Sequence, residues 1–280
     1  MYIVTVGLAA GTMVCMAIIL TSVLGWANKA FHVEVDHRVQ EINENLPGVN
    51  CGGCGYVGCG EYAEAVVGSG APVNMCTVGG DSCAAVIAEI MGVEVGDSFK
   101  IMPVVHCGAK DEERLGKSEY IGEQECRAAG LVAGVQGCIY GCLGFGDCTR
   151  ECNFDAIDVV NGLAVVDYEK CVGCGACVKA CPRNIITMTS FEYNNLLAVL
   201  CSNHDTGKQS KKACQVGCVA CKACTKVSDL FTVEDNLSII NYEKYSDDRL
   251  EELSKAAKKC PRQCLGFVFG ISKRRNEALK

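Results

Sequence analysis

Basic residues are too few to give this chain a phosphate-binding face. Lys and Arg number 26 against 33 Asp and Glu, for a net charge of −7, which argues against a general nucleic-acid binder. Aromatic residues make up only 6%, fewer than a core of large rings would need. Histidine is rare, with four in the chain, and His32 and His37 read as exposed helix residues, not ligands. No Gly-x-Gly-x-x-Gly follows a strand and opens a helix, so no dinucleotide site is evident. Charge is missing altogether from Met1 to Ala27. The 24 residues Ile3 to Trp26 would make about 36 Å of helix against a hydrocarbon core of about 30 Å. A positive leader region and a small-x-small cleavage site are also lacking, so an uncleaved single span is expected. Trp26 suits an interface, and Lys29 and Arg38 favour a cytoplasmic carboxyl side. Gly7 and Gly11 form a small-x3-small pair where another helix can approach.

Cysteine is abundant, at 23 residues. Tight triples of cysteine cannot bridge one another across a core, and the chain is longer than secreted disulfide scaffolds. From Cys171 to Pro182 it reads Cys-x2-Cys-x2-Cys-x3-Cys-Pro, the iron-sulfur run of two-cluster bacterial ferredoxins, in which the fourth cysteine ligates the other cluster. Structural zinc sites usually come instead as separated Cys-x2-Cys pairs. The partner group is Cys138, Cys142, Cys148 and Cys152. By the crossing rule, Cys138, Cys142, Cys148 and Cys181 share one cluster, and Cys171, Cys174, Cys177 and Cys152 the other. The Asn161-Gly162 turn predicts a hairpin of 157–160 with 163–166.

Upstream, Val33, Val35, Val39, Ile42 and Leu46 predict a short amphipathic helix ended by Pro47-Gly48. Cys51, Cys54, Cys59 and Cys76 then form a glycine-rich group suited to a [4Fe-4S] cluster or a zinc ion. Short helices at 61–67 and 84–91 are expected to flank it. Cys107 and Cys126 read as buried thiols in connecting structure. Downstream, Cys218, Cys221 and Cys224 repeat the triple, with Ser228 where a fourth cysteine would stand. The segment 165–171 aligns with 239–245, and Cys181-Pro182-Arg183 with Cys260-Pro261-Arg262. One cluster on Cys218, Cys221, Cys224 and Cys260 is expected here and a second lost. A helix over 246–259, capped by Ser246 or Asp247, stands where the second triple would be. Cys201, Cys214 and Cys264 read as structural thiols, with recruitment of a further cofactor through an outside ligand as the alternative. Lys273, Arg274, Arg275 and Lys280 form a basic tail, read as solvated or as drawn to anionic lipid.

The anchor, the Cys-x2-Cys-x4-Cys-x16-Cys group, the run from Cys138 to Cys148 and the Cys-Pro motif together resemble the B subunit of Rnf complexes. The resemblance implies an iron-sulfur electron relay in an ion-pumping ferredoxin:NAD oxidoreductase. It implies four [4Fe-4S] clusters on the sixteen cysteines grouped above, and no catalytic acid or base in this chain. Implied partners are soluble ferredoxin, membrane subunits and a flavin- and NAD-binding subunit. The implied location is the inner (plasma) membrane, with soluble domains on the cytoplasmic side. The expected class is α+β: a transmembrane anchor (1–28), a small helical 4Fe-4S domain (29–91), a connecting region (92–136), a two-cluster ferredoxin-like domain (137–189) and a degenerate copy with one cluster (190–280). A redox sensor or scaffold, or a self-contained reductase, are the rival readings. The output domain or flavin pocket that either would need is not visible.

Overall fold

The computed structural model describes residues 2–31, 36–96, 100–190 and 195–269. His32, Val33, Val35 and the basic tail lie outside the described residues. Helix α1 (Tyr2–Ala30) contains 25 residues, Val6–Ala30, long and apolar enough to cross a membrane. Leu8, Met13, Ile19 and Leu24 stand exposed along it. Helix α2 (His37–Asn45) begins at Asp36, whose carboxylate accepts the Arg38 amide at 2.9 Å. Ile42 and Leu46 on its apolar face pack with Tyr62, Val66 and Ile87 of α3 (Cys59–Ser69) and α4 (Gly80–Met91). These helices form the small unit around the first cysteine group. His37 is solvent-exposed beside Asp36.

The rest is built twice. Strand β1 (Ile101–Val105) lies in the stretch expected to be connecting structure, yet it pairs antiparallel with β4 (Ile186–Ser190), Val105 opposite Ile186. Its burial explains the pairing: Met102, Val104 and Val105 are enclosed and need a partner strand. Between them, β2 (Ile157–Val160) and β3 (Leu163–Val166) form the hairpin. Its turn residues Asn161 and Gly162 both have positive φ, as a type I′ turn requires. In the second copy, β5 (Leu196–Val199) pairs with β8 (Leu265–Phe269), and β6 (Phe231–Glu234) with β7 (Leu237–Ile240) around Asp235-Asn236. Tyr168 donates to the Pro103 carbonyl at 2.9 Å, and Tyr242 to that of Leu197 at 3.1 Å.

Short helices complete each copy: α5 (Cys126–Ala129), α6 (Asp147–Arg150) and α7 (Ala176–Ala180) in the first, α8 (Gly207–Ala213) and α9 (Leu250–Lys259) in the second. The helix expected from 246 differs at its start, where a 3-10 turn, Asp247–Arg249, precedes α9 and Ser246 gives no side-chain cap. Arg249 holds that turn by pairing with Glu252 at 3.0 Å and with Asp229. Tyr245, Leu253 and Ala256 are buried in the core of this copy. Tyr245 stands where the first copy has Cys171, and its hydroxyl donates to the Asn195 carbonyl at 2.7 Å while accepting the Leu197 amide at 2.9 Å. Buried Ser228 accepts the Leu230 amide at 3.2 Å.

Candidate iron-sulfur centres

Five groups of thiols emerge from this fold, and every cysteine is free. Site I gathers Cys51, Cys54, Cys59 and Cys76 around a cavity of about 340 Å³, mouth included, walled by Leu46 and Tyr62. Asn50 Oδ1 accepts the Cys59 amide at 2.8 Å and fixes the loop, and the Gly79 amide donates to Cys76 Sγ at 3.3 Å. Buried Cys83, on α4, lies beside Cys76 and donates to the Asn45 carbonyl at 3.6 Å; the interaction of the two thiols holds Cys76 down at about 6 and drives Cys83 up.

Site II holds Cys142, Cys148 and Cys181 around about 370 Å³, but its fourth thiol is Cys126, not Cys138. The cause is Asp147, whose buried carboxylate accepts the Cys126 amide at 2.7 Å and the Arg127 amide at 3.0 Å. That pair of bonds draws α5 onto α6. Burial, then the sulfurs of Cys142, Cys126 and Cys181, push Cys148 up to about 12.

Site III is Cys152, Cys171, Cys174 and Cys177. Burial pushes Cys177 up to about 12, followed by the nearby sulfurs of Cys171, Cys148, Cys174 and Cys152. The Ala156 amide donates to Cys152 Sγ at 3.4 Å. Gly53 of site I approaches so closely that a Cβ there would stand 3.1 Å from Cys174 Cα.

Cys138 instead lies with Cys107, Cys201 and Cys214 around a cavity of about 410 Å³, site IV, at the junction of the two copies. Burial raises the Cys107 and Cys138 thiols and pushes Cys201 up to about 12. Site V gathers Cys218, Cys221, Cys224 and Cys260 around about 350 Å³, with Cys264 as a fifth thiol on the wall. Cys264 Sγ lies 3.5 Å from Cys260 Sγ. Hydrogen bonding to Cys264 lowers Cys218 to about 6 and Cys260 to about 5, while the Cys264 thiol is driven up.

The regrouping of Cys138 has a sequence signal. An offset of 76 places Cys138 on Cys214, Cys142 on Cys218, Cys148 on Cys224 and Cys152 on Ser228. The backbone follows the same offset, with positive φ at Gly144 and Ala220 and again at Gly146 and Lys222. The triple from Cys218 to Cys224 therefore aligns with Cys142, Phe145 and Cys148, and Cys126 supplies from a distant loop what Cys221 supplies locally. Ile185 occupies the place of Cys264, each accepting the amide that follows the copy's first strand, from His106 and Leu200 respectively.

The donor sets fit a multi-iron core. Among the described residues no three His, Cys, Asp or Glu gather tightly enough for a single metal ion. At sites I, II, IV and V the sulfurs line cavities instead, as ligands at the corners of a cubane do, which weakens the zinc alternative at site I. Thr77 Oγ1 and Arg183 Nε are buried without a hydrogen-bond partner, on residues that line sites I and II. An anionic cluster supplies an acceptor for such donors.

Known proteins carry the same signals. Residues 46–78 match the family described as "Putative Fe-S cluster" and residues 164–187 that described as "4Fe-4S binding domain". The chain is 42% identical over 246 residues, 86% of its length and 72% of the relative's, to the B subunit of the Na(+)-translocating ferredoxin:NAD(+) oxidoreductase complex of Acetobacterium woodii. It is 37% identical over 202 residues (71% and 76%) to the B subunit of the ion-translocating oxidoreductase complex of Methanosarcina acetivorans. Identity is 36% over 234 residues (82% and 82%) with the B subunit of the proton-translocating ferredoxin:NAD(+) oxidoreductase complex of Clostridium ljungdahlii.

Proposed function

The chain belongs to the B-subunit family of Rnf-type ion-translocating oxidoreductase complexes, and from that premise we propose that it relays electrons from reduced ferredoxin toward membrane and flavin-bearing partner subunits. It is an iron-sulfur electron-transfer subunit of an ion-translocating complex. Four [4Fe-4S] clusters are proposed, at sites I, II, III and V, with Cys126 replacing Cys138 at site II. Bound there, they would supply one-electron transfer without proton chemistry.

The chain's own residues do the remaining work. Thiolates would hold the metal, amides such as those of Gly79 and Ala156 donate to the sulfurs, and the apolar walls would limit water around it. Nothing in this role requires a general acid, base or nucleophile. We read the soluble part as three units: helices 36–92, a first ferredoxin-like copy over 101–190 and a second over 196–269. Helix α1 is the proposed single-pass anchor, with the thiol-rich units on the cytoplasmic side, where reducing conditions allow cluster assembly.

The observation that carries the relay reading is contact between successive sites. Gly53 of site I lies against Cys174 of site III, and helix α6, which carries Cys148 of site II, packs on α7, which carries Cys177 of site III. A sensor needs no such train of centres. Rapid mixing of the full chain with reduced ferredoxin tests it: the visible cluster absorbance should bleach at a rate rising with ferredoxin concentration. Absorbance that stays constant would favour the scaffold.

A further inference from the structure

We infer that site IV holds a fifth [4Fe-4S] cluster, ligated by Cys107, Cys138, Cys201 and Cys214. This rests on the iron-sulfur reading of the other sites and goes beyond it, since Cys107, Cys201 and Cys214 belong to no spaced group and Cys138 lies apart from the group its spacing suggested.

The duplicated fold builds the site from two equivalent pairs. Cys107 lies two residues after β1 and Cys201 two residues after β5; Cys138 precedes Cys142 as Cys214 precedes Cys218, by four residues each. Their hydrogen bonds match as well. The Cys142 amide donates to Cys107 Sγ at 3.5 Å, and the Cys218 amide to Cys201 Sγ at 3.2 Å. Two copies related in this way bring four thiols to one cavity, as a tetrahedral set of ligands requires.

Further donors point at the sulfurs. Asn203 is 1% exposed, and it donates its amide to Cys201 Sγ at 3.5 Å and its side-chain Nδ2 to Cys138 Sγ at 3.6 Å. Neutral thiols in an apolar core need few such donors, whereas the sulfurs of an anionic centre are stabilised by them. Arg114 adds a buried charge to the cavity wall. Its side chain is 3% exposed, and its guanidinium donates to the carbonyls of Ala109 at 3.0 Å and Gly162 at 2.7 Å. Among the described residues its carboxylate partner is Asp111, at 3.4 Å and itself 43% exposed. A buried cation with so weak a partner calls for an anion. Four thiolates around a cluster core of lower positive charge supply one. His106 fastens the wall across the copies, its ring nitrogens 2.8 Å from the Val199 carbonyl and 2.7 Å from Thr187 Oγ1.

Position gives the site its role. Cys142 belongs to site II and Cys218 to site V, so each neighbouring site donates an amide directly to a site IV sulfur. The order of centres becomes I, III, II, IV, V.

Iron and acid-labile sulfide per full-length chain, purified anaerobically, test the inference. The wild type should hold about 20 irons, and Cys201→Ser or Cys214→Ser about 16, with one EPR signal lost. A wild type at about 16, unchanged in both variants, would overturn the fifth cluster and leave the other four standing; near-zero iron after anaerobic reconstitution would overturn the iron-sulfur reading itself. Joint replacement, Cys126→Ala with Cys138→Ala, should cost two clusters and leave about 12 irons, whereas about 16 would mean that both serve one cluster and refute the grouping. Should the serine variants fail to fold, Asn203→Leu keeps all four thiols. It should retain about 20 irons and lower one midpoint potential; unchanged potentials would refute the inference.

Discussion

Single side chains decide which sulfurs meet. Asp147 does so by pulling the Cys126 and Arg127 amides onto its carboxylate, and the two bonds make a remote cysteine part of site II. Cys264 and Cys83 act differently. Each is an extra thiol beside ligand cysteines, Cys264 against Cys260 and Cys218, Cys83 against Cys76. Because Ile185 occupies the place of Cys264 in the first copy, the proposed assignment makes this thiol a neighbour of the site V ligands and not one of them. Cys264→Ala should therefore retain the cluster of site V while lowering its potential, since a donor to its sulfurs is gone. Cys260→Ala should remove about four irons, and the two variants are separated by iron analysis and a redox titration. The Cys-x2-Cys-x2-Cys-x3-Cys-Pro run was legible as a gathering of thiols, since its cysteines come from one local stretch. The place of Cys126 was not, because a thiol brought in by a distant helix, α5, leaves no spacing to read.

At the scale of elements, the hairpin turns were written plainly, since Asn161-Gly162 offers the positive φ that few other pairs accept. The pairing of β1 with β4 was hidden, because partners separated by most of a domain carry no local signal. Pro103 is accommodated because β1 belongs to a two-stranded sheet and is therefore an edge. Where the later copy was expected to lack a second cluster, protein fills the space. Tyr245 and the Leu253–Ala256 face of α9 occupy its core, and Tyr245 bonds both Asn195 and Leu197. Tyr245→Phe should destabilise this copy by about 1–3 kcal/mol, because the buried Leu197 amide loses its acceptor. The urea midpoint of site V bleaching should fall while those of sites II and III hold; equal shifts in all would contradict a local plug.

Across the whole molecule, one apolar helix leads into three thiol-rich units whose centres touch in series. The long apolar helix was legible because charge is absent over a span-length stretch. Duplication was legible in part: the paired segments 165–171 and 239–245 stood out, but the offset that places Cys138 on Cys214 differs from theirs and needs the matching backbone at Gly144 and Ala220 to be recognised. What the chain alone did not reveal is the docking of the two copies, which makes their leftover thiols into one site. The central claim is that the folded chain lines up five centres in the order I, III, II, IV, V. A map of anomalous scattering at the iron edge from the full-length protein tests it directly. The account predicts five peaks of about four irons each, with the fourth between Cys107, Cys138, Cys201 and Cys214. Peaks confined to the other sites, or a site II peak bound to Cys138 in place of Cys126, would contradict it.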